Sequence, residues 1–382
     1  MQRIDRLGAL LSLVGACALT LLPLVVLKAN RIVPGQPQAL LDVLPAWTVL
    51  LLYGVLATAA TVALRVPAPR VRLVVALTGM ITLALAVAAA ANDLTPEGNR
   101  VVRVAPGAGF WIVMIALGLL ATDALTRLKP GPLLRVATLV VVLAAVLAAL
   151  GSGFFDDLSI MREYAVNATR FAREARQHLM LALGSLAAAV MVALPLGVFC
   201  HRQPRLKAAV LGTLNFVQTI PSIALFGILM APLAALAAAW PALASIGVSG
   251  IGTAPAAIAL FLYSLLPIVG NTVVGLARVS PATVDAAHGM GLTDWQTLRQ
   301  VELPLALPTI LTGIRIVLVQ NIGLVTIAAL IGGGGFGTFV FQGIGQTAID
   351  LVLLGAIPTV VLAFSAAVLL DAFIDFTRRG PR

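Results

Sequence analysis

Residues 280–308 read SPATVDAAHGMGLTDWQTLRQVELPLALP and lie between two long apolar runs. Ser280 is a favourable residue to cap the start of a helix, and Pro281 suits the first helical position, where a backbone N–H would have no partner in the helix. Gly289 and Gly291 are expected to end this helix, since glycine commonly occupies the left-handed position that follows one. The first half of the segment therefore predicts a short, sharply terminated helix.

The second half of the segment predicts another helix. Thr293 and Gln296 have the spacing of a capping box, in which each side chain satisfies the backbone N–H of the other residue. Pro304 and Pro308 are predicted to end this helix and to introduce the next apolar run. Its predicted buried stripe consists of three residues: Trp295, Leu298 and Val301. The segment 280–304, called the elbow below, thus predicts two amphipathic helices joined by glycines, a shape suited to docking in a groove of another protein.

The composition of the chain predicts a polytopic membrane protein. Of its 382 residues, 60% are hydrophobic and only 10% are charged, whereas soluble domains have roughly 25% charged residues. Ten apolar runs approach or exceed the ~20 residues needed to cross a bilayer. They predict helices at 7–27, 47–64, 71–91, 109–125, 133–150, 179–199, 208–230, 254–277, 305–331 and 350–371. The apolar stretch 232–253 is interpreted as a re-entrant or interfacial loop, with a further helix as the alternative.

The distribution of basic residues predicts the orientation of these spans. With both termini in the cytoplasm, 16 of the 25 lysines and arginines lie on the inner side, 8 lie on the outer side, and Arg315 lies within a span. This excess agrees with the positive-inside rule. The basic residues are scattered over short connections and form no stripe of the kind that binds nucleic acid. The orientation places the loop 278–304 in the cytoplasm and the segment 151–178 outside.

The chain divides into two halves of different chemistry. Residues 1–150 predict a five-helix transmembrane extension without a functional motif, 151–178 predict an external linker, and 179–382 predict a five-helix core that contains the loop 278–304. Polar side chains at membrane depth tend to face a bundle interior or a wet cavity. The candidate pore-lining residues of the core are Asn215, Gln218, Thr219, Asn271, Gln320 and Asn321. Hydrogen bonding between helices is the alternative interpretation of these side chains.

The elbow resembles the EAA loop of ABC-importer permeases. The matching residues are Asp285, Ala286, Ala287, Gly291, Leu303 and Pro304. Asp285 stands in place of the usual glutamate and Val301 in place of the usual isoleucine, and both changes are conservative. Three flanking stretches are similar to those of the osmoprotectant (glycine betaine/carnitine/choline) permeases: QTIPSIALF at 218–226, LYSLLPIVGNT at 262–272 and IGGGGFG at 331–337. This resemblance covers about the C-terminal half of the chain.

The resemblance implies an all-α polytopic fold whose C-terminal five helices form a type I (MetI-like) importer core, here in a long form with an N-terminal extension. In that family the loop docks on the ATPase, which assigns this role to the six matching elbow residues. The implied partners are a cytoplasmic ATP-binding subunit, an extracytoplasmic substrate-binding protein, a second permease copy or a paralogous permease, and the bilayer of a bacterial inner membrane. Nucleic acid is not expected as a partner.

No catalytic residue, cofactor site or metal site is predicted. The glycine run Gly332–Gly335 lacks the lysine and the Ser or Thr of a phosphate-binding P-loop, and it is interpreted as a flexible outer hinge. The three histidines lie on different segments, so a metal site shared by them is not expected. The alternative functions are a permease for another small solute such as an amino acid, an ion-coupled secondary transporter, and an assembly protein that transports nothing.

Overall fold

The computed structural model describes residues 5–30, 33–96, 98–99, 101–245 and 247–378, and most of these residues are helical. The chain forms two compact units. The first comprises Met1–Gly131, Val140–Val166 and Gln346–Asp350, and the second comprises Pro132–Leu139, Asn167–Gly345 and Leu351–Arg382. The chain passes between the units several times, so neither unit is one continuous stretch of sequence.

Six helices precede residue 152. They are α1 Arg6–Leu21, α2 Leu40–Val43, α3 Ala46–Arg65, α4 Pro69–Leu94, α5 Ala108–Leu128 and α6 Pro132–Gly151. Ten helices follow: α7 Ser159–Arg202, α8 Pro204–Thr219, α9 Ser222–Ala239, α10 Pro241–Ser245, α11 Thr253–Ala277, α12 Pro281–Gly289, α13 Asp294–Thr297, α14 Leu303–Ala328, α15 Gly337–Gly345 and α16 Ile349–Arg378.

Within the described residues, nine helical stretches are long and apolar enough to cross a membrane. They are α3, α4, α5, α6, α7, α9, α11, α16 and the stretch Asp294–Ile331 that contains α14. The apolar helix α1 has only 16 residues, about 24 Å at 1.5 Å per residue. These ten elements follow the order of the ten predicted spans, although α9 overlaps only the end of the predicted span 208–230, and the prediction of a helical, polytopic membrane protein is confirmed.

The first unit also contains a small antiparallel sheet, which the all-α expectation did not include. Its strands are β1 Val25–Lys28, β2 Gln36–Gln38 and β3 Arg103–Pro106, in the order β2-β1-β3. The predicted span 7–27 was therefore wrong at its end, because α1 stops at Leu21. Pro23 follows at once, and proline cannot continue the hydrogen-bond ladder of a helix. The β-branched pair Val25 and Val26 then favours a strand.

A buried arginine organises one end of the first unit. The Arg72 side chain is only 2% exposed, and its guanidinium lies 2.9 Å from the Asp5 carboxylate and 3.1 Å from the Asp123 carboxylate. Arg127 contacts the same two acids at 3.1 Å and 2.9 Å. The backbone N–H of Gly8 donates to Asp5, and this bond, with the arginines beside it, lowers the pKa of the Asp5 carboxyl. A buried charge is tolerated when it is paired and hydrogen-bonded in this way.

The prediction of a linker at 151–178 was wrong for most of its length. Helix α7 begins at Ser159 and continues for 44 residues, with its first internal proline at Pro195. The residues between Ser159 and His178 are polar but include neither glycine nor proline. Polar composition was therefore a poor indicator of a linker here, because a helix that extends beyond the apolar layer is polar as well.

The stretch from 208 to 253 also differs from its prediction. The predicted span 208–230 is broken at Ile220 because the residue before Pro221 is disfavoured in the helical conformation. Helix α9 then continues through Pro232 to Ala239, so the predicted loop 232–253 was wrong for its first eight residues. The remainder contains the five-residue α10 and no spanning helix among its described residues.

The core of the second unit is built around α11. Its buried side chains include Leu260, Tyr263 and Ile268, which pack with residues of α7 and α14. Helices α11 and α14 approach closely at Gly313, where a Cβ atom would lie 2.8 Å from the Asn271 Cβ and from the Pro267 carbonyl oxygen. Close helix approach through small residues is the usual packing mode within a membrane.

Candidate functional site

The first half of the elbow has the predicted local structure. The Ser280 hydroxyl accepts from the Thr283 N–H at 3.2 Å, and Pro281 occupies the first turn of α12. The helix ends at Gly289, and Gly291 has the left-handed backbone angle φ +87°. Two backbone bonds, from Gly291 to His288 and from Leu292 to Ala287, close the turn. The predictions of the cap and of the glycine termination are confirmed.

The second half begins as predicted but continues differently. Thr293 and Gln296 form both bonds of the capping box. The prediction that Pro304 and Pro308 end this helix was wrong, because α13 passes through a π-helical turn, Leu298–Glu302, directly into α14. A π turn is a local widening that accommodates an interruption of the α-helical ladder. The result is one stretch of 38 residues from Asp294 to Ile331, about 57 Å long at 1.5 Å per residue.

The underside of the elbow is anchored to the second unit. Leu298 packs in a buried cluster with Leu276, Ala306 and Ile310. Glu302, whose side chain is only 3% exposed, pairs with Arg202 at the end of α7. An ion pair of this kind is costly to break, since it would leave a buried carboxylate without a partner. The elbow is therefore held by both apolar packing and a charged bond.

The outer surface of the elbow carries two large apolar side chains. Met290 is 75% exposed and Trp295 is 67% exposed. The predicted buried stripe was thus wrong for Trp295, while Leu298 is buried and Val301 is half-buried. Because α13 lasts only four residues before the π turn, a helical stripe could not be extrapolated from Leu298 back to Trp295.

The six predicted elbow residues differ in exposure. Asp285 and Ala286 face outward, whereas Ala287 is buried against the rest of the elbow. Gly291 is exposed and sets the turn. Leu303 packs beside the buried cluster under the elbow, and Pro304 lies exposed in the first turn of α14. Asp285, Ala286, Met290 and Trp295 are thus available to another molecule.

The candidate pore-lining residues do not form one group. Asn215 and Thr219 are exposed on α8, a helix without a buried residue. The Gln218 amide donates to the Tyr263 carbonyl at 2.7 Å, and the Asn271 amide donates to the Pro267 carbonyl at 2.8 Å. Gln320 is half-buried on α14.

Asn321 differs from these residues because it is completely buried. Its amide nitrogen lies 3.1 Å from the Ser185 hydroxyl and 3.1 Å from the Ser264 hydroxyl. These contacts join α14 to α7 and α11. For Asn321 the geometry therefore favours the alternative interpretation, a hydrogen bond between helices.

Sequence reasoning missed a group of polar residues in the first half of α7. The Gly335 N–H donates to the Glu174 carboxylate at 2.8 Å, and the Phe336 N–H donates to His178 Nδ1 at 3.2 Å. The Gln177 amide donates to the Gly333 carbonyl at 3.2 Å. The segment Gly332–Phe336, called the glycine segment below, is thus bound by α7, an arrangement that its interpretation as a flexible outer hinge did not include. The i, i+4 spacing of Glu174 and His178 was the available signal, but it was overlooked because this part of α7 was predicted as a linker.

Among the residues that the structure describes, no group of three or more His, Cys, Asp or Glu side chains is placed to hold a metal ion. Two of the described histidines contact residues of their immediate surroundings. His178 is buried at the glycine segment, and His288 lies 3.6 Å from Asp294 within the elbow. The exposed elbow is consequently the feature of the second unit with the clearest binding chemistry.

Comparison with protein families gives two matches that together cover most of the chain. Residues 179–379 match the binding-protein-dependent transport system inner membrane component family. Residues 5–161 match the N-terminal domain of the ABC transporter permease YehY.

Individual relatives match about half of the chain. The osmoprotectant import permease protein OsmW of Salmonella typhimurium is 45% identical over 197 residues, which are 52% of this chain and 86% of OsmW. The glycine betaine/carnitine/choline transport system permease protein OpuCB of Bacillus subtilis is 36% identical over 203 residues, 53% of this chain and 84% of OpuCB. A solved structure of the MetNI methionine ABC transporter in inward-facing conformations aligns with a TM-score of 0.47 and 21% identity, over 54% of this chain and 95% of that one.

The family match spans more than half of the chain, and the relatives confirm the resemblance to osmoprotectant permeases. This chain belongs to the family of binding-protein-dependent transport system inner membrane components.

Proposed function

We propose that this member of the family is the membrane-spanning permease of an ATP-driven importer for glycine betaine or a related quaternary ammonium osmoprotectant. The names of OsmW and OpuCB, each of which is similar to about half of the chain, support this substrate class. The observation that carries the mechanism is the elbow, a rigid two-helix surface with exposed Met290 and Trp295. Residues 179–382 would form the permease core and residues 1–150 the extension.

The elbow would dock on a separate ATP-hydrolysing subunit. Burying an exposed apolar side chain contributes roughly 25 cal/mol per Å² of apolar area, and tryptophan is among the residues that most often dominate binding energy at an interface. Asp285 and Ala286 would contact the partner beside Met290 and Trp295, because all four are exposed on the elbow. Gly291 would fix the angle between the two helices.

The remaining elbow residues would transmit force rather than bind. Ala287 is the buried small residue of α12. Leu303 and Pro304 join the elbow to α14. Since Asp294–Ile331 is one continuous helical stretch, a displacement of the docked elbow would reach the opposite end of α14. ATP hydrolysis on the partner could then alternate the access of the permeation path.

The permeation path and its other partners follow from this assignment. Exposed Asn215 and Thr219 are the candidates for lining it, with Gln218, Asn271 and Gln320 beside them; Asn321 would instead join helices. A second copy of the chain or a paralogous permease would complete the path, and an extracytoplasmic binding protein would deliver the substrate. Both termini and the elbow would lie in the cytoplasm.

The experiment is an affinity pull-down of the chain co-expressed with candidate ATPase subunits, followed by uptake of radiolabelled glycine betaine. Met290→Asp and Trp295→Asp should each reduce the recovered ATPase at least tenfold at normal membrane abundance. Met290→Leu and Trp295→Phe keep the apolar surface and should retain most of the binding. Uptake that persists without any ATPase would overturn the proposal in favour of ion-coupled transport, and preferential competition by amino acids would overturn the substrate class.

A further inference from the structure

The glycine segment lies at the end of α14 opposite the elbow. Gly332, Gly334 and Gly335 all have left-handed backbone angles, with φ of +79°, +79° and +82°. Glycine adopts such angles without steric cost but also leaves them easily. The conformation of this segment is therefore determined by the groups that bind it rather than by its own backbone preference.

Two side chains of α7 bind the last two N–H groups of the segment. The Glu174 carboxylate accepts from the Gly335 N–H, and His178 accepts from the Phe336 N–H. Both side chains are buried. Because each bond is made by a backbone N–H, it depends on the path of the segment and is lost when the segment moves.

The partners of His178 define its protonation form. Nε2 lies 3.0 Å from the Ile322 carbonyl oxygen, which can only accept, so Nε2 carries the hydrogen. Nδ1 faces the Phe336 N–H, which can only donate, so Nδ1 has none. His178 is thus a neutral imidazole that joins the body of α14, at Ile322, to the segment beyond its end.

A second set of contacts extends from α7 to α15. The Arg170 guanidinium donates to the Gln342 side-chain oxygen at 2.6 Å and lies 5.0 Å from the centre of the Phe339 ring. The Phe171 ring lies 6.1 Å from the Phe339 ring. These contacts hold α15 to α7, so the glycine segment connects α14 to a helix that is bound separately.

We propose that Glu174 and His178 are positioning residues for transport, which form a latch that holds the glycine segment in one of two positions. The proposal rests on the proposed function, since the force that releases the latch would come from the docked elbow through α14. In the latched state the two N–H groups are paired with α7. In the released state α14 has shifted, and the glycines allow the segment to take another path. A switch of this kind needs a bistable element whose equilibrium the effector site biases.

The test compares coupling in variants of the latch. Glu174→Gln keeps a carbonyl oxygen that can accept the Gly335 N–H, whereas Glu174→Ala and His178→Ala remove the acceptor. Arg176→Ala, an exposed residue on the other side of α7, is the matched control. Each permease, co-purified with its ATPase and binding protein, is reconstituted in liposomes, and the number of substrate molecules transported per ATP is measured.

Glu174→Ala and His178→Ala should still bind the ATPase, should hydrolyse ATP at least fivefold faster without substrate, and should transport at least fivefold less substrate per ATP. Glu174→Gln should fall between them and the wild type, and Arg176→Ala should match the wild type. A second readout uses Thr338→Cys in a Cys17→Ser background: thiol labelling should depend on ATP in the wild type and become independent of ATP when the latch is removed.

The outcomes separate the latch from the proposed function. If the alanine variants lower protein abundance but leave the substrate-to-ATP ratio and the ATP dependence of labelling unchanged, the two residues are only structural and the latch is refuted. If the wild-type chain binds no ATPase at all, the proposed function fails instead.

Discussion

The two ends of α14 both depend on glycines with left-handed backbone angles, but their surroundings are opposite. At the elbow, a Cβ atom added to Gly291 would meet no atom of the described residues within 4 Å. At the far end, a Cβ on Gly335 would lie 3.0 Å from His178 Nδ1, and one on Gly334 would lie 2.9 Å from the Gln177 side chain. The elbow needs glycine for its backbone angle alone, whereas the glycine segment needs it for the angle and for space.

The two ends of α14 also differ in what contacts them. The elbow exposes Met290 and Trp295, and neither side chain is buried by the residues that the structure describes. The N–H groups of Gly335 and Phe336 are bound within the chain by α7. An exposed apolar surface is typical of a site for another molecule, whereas the glycine segment is bound by residues of its own chain. Glycine thus shapes an exposed surface at one end of α14 and an internal contact at the other.

The largest effect is expected at Gly337, which begins α15. A Cβ there would lie 1.9 Å from the Thr326 carbonyl oxygen, a backbone atom that cannot move aside. Gly337→Ala should destabilise the protein by about 3 kcal/mol or more, the upper range for overpacking. The measurement is membrane abundance with thermal unfolding in detergent. Gly345→Ala, in the same helix with no atom of the described residues within 4 Å, is the control, and equal behaviour of the two variants would show that the close backbone contact beyond the glycine segment does not require glycine.

A smaller effect is expected at Gly291, where only the backbone angle is at stake. Gly291→Val should cost about 1–3 kcal/mol of local strain, so that the elbow distorts while the spans insert normally. Uptake of glycine betaine and recovery of the ATPase should both fall at least tenfold at unchanged abundance. Gly289→Ala, at the helical end of α12 with free space around it, should transport normally. Normal uptake by Gly291→Val would mean that the elbow is not the coupling element.

The helix caps of the elbow could be predicted because their signals are local. Ser280, Thr293 and Gln296 cap helices through bonds to residues three positions away, so that spacing alone defines them. The glycine segment could not be predicted, since its partners lie about 160 positions earlier in the chain and the sequence alone does not bring them together.

The surroundings of Trp295 and Asn321 could not be predicted for the same reason, since those of both side chains depend on the folded structure. Trp295 has an apolar side chain, and only the position of α13 leaves it exposed. Asn321 and Asn215 are the same residue type in predicted spans, yet one is buried between three helices and the other is exposed. Whether a polar side chain in a membrane lines a path or joins helices depends on its neighbours in space, which hydropathy does not describe.

An effect smaller than that at Gly291 is expected at Asn321, which lies along α14 between its two ends. Asn321→Ala removes the amide that lies between Ser185 and Ser264, but each hydroxyl keeps its bond to its own helix, at Leu181 and Leu260. Hydrogen bonds between membrane helices contribute about 0.6–2 kcal/mol, so thermal stability should fall by that amount. Asn215→Ala, on exposed α8, should leave the stability unchanged. The reverse order of the two variants would assign Asn321 a role other than joining helices.

The smallest effect is expected at Asp285, and it sharpens the description of the elbow as an interface. Its carboxylate is exposed, so Asp285→Ala should not alter folding of this chain. A charge at the edge of an interface mainly affects the association rate and its dependence on salt, and an exposed ion pair contributes about 0–1 kcal/mol. Asp285→Ala should therefore weaken ATPase binding by less than about fivefold, which corresponds to about 1 kcal/mol of binding free energy.

The association rate is followed by biolayer interferometry from 50 mM to 500 mM salt. It should lose most of its salt dependence in Asp285→Ala, and Asp285→Glu should retain that dependence. If Asp285→Ala instead abolishes binding as completely as Trp295→Asp, the carboxylate is buried in the complex and the elbow docks by a charged contact at its centre rather than by its apolar side chains.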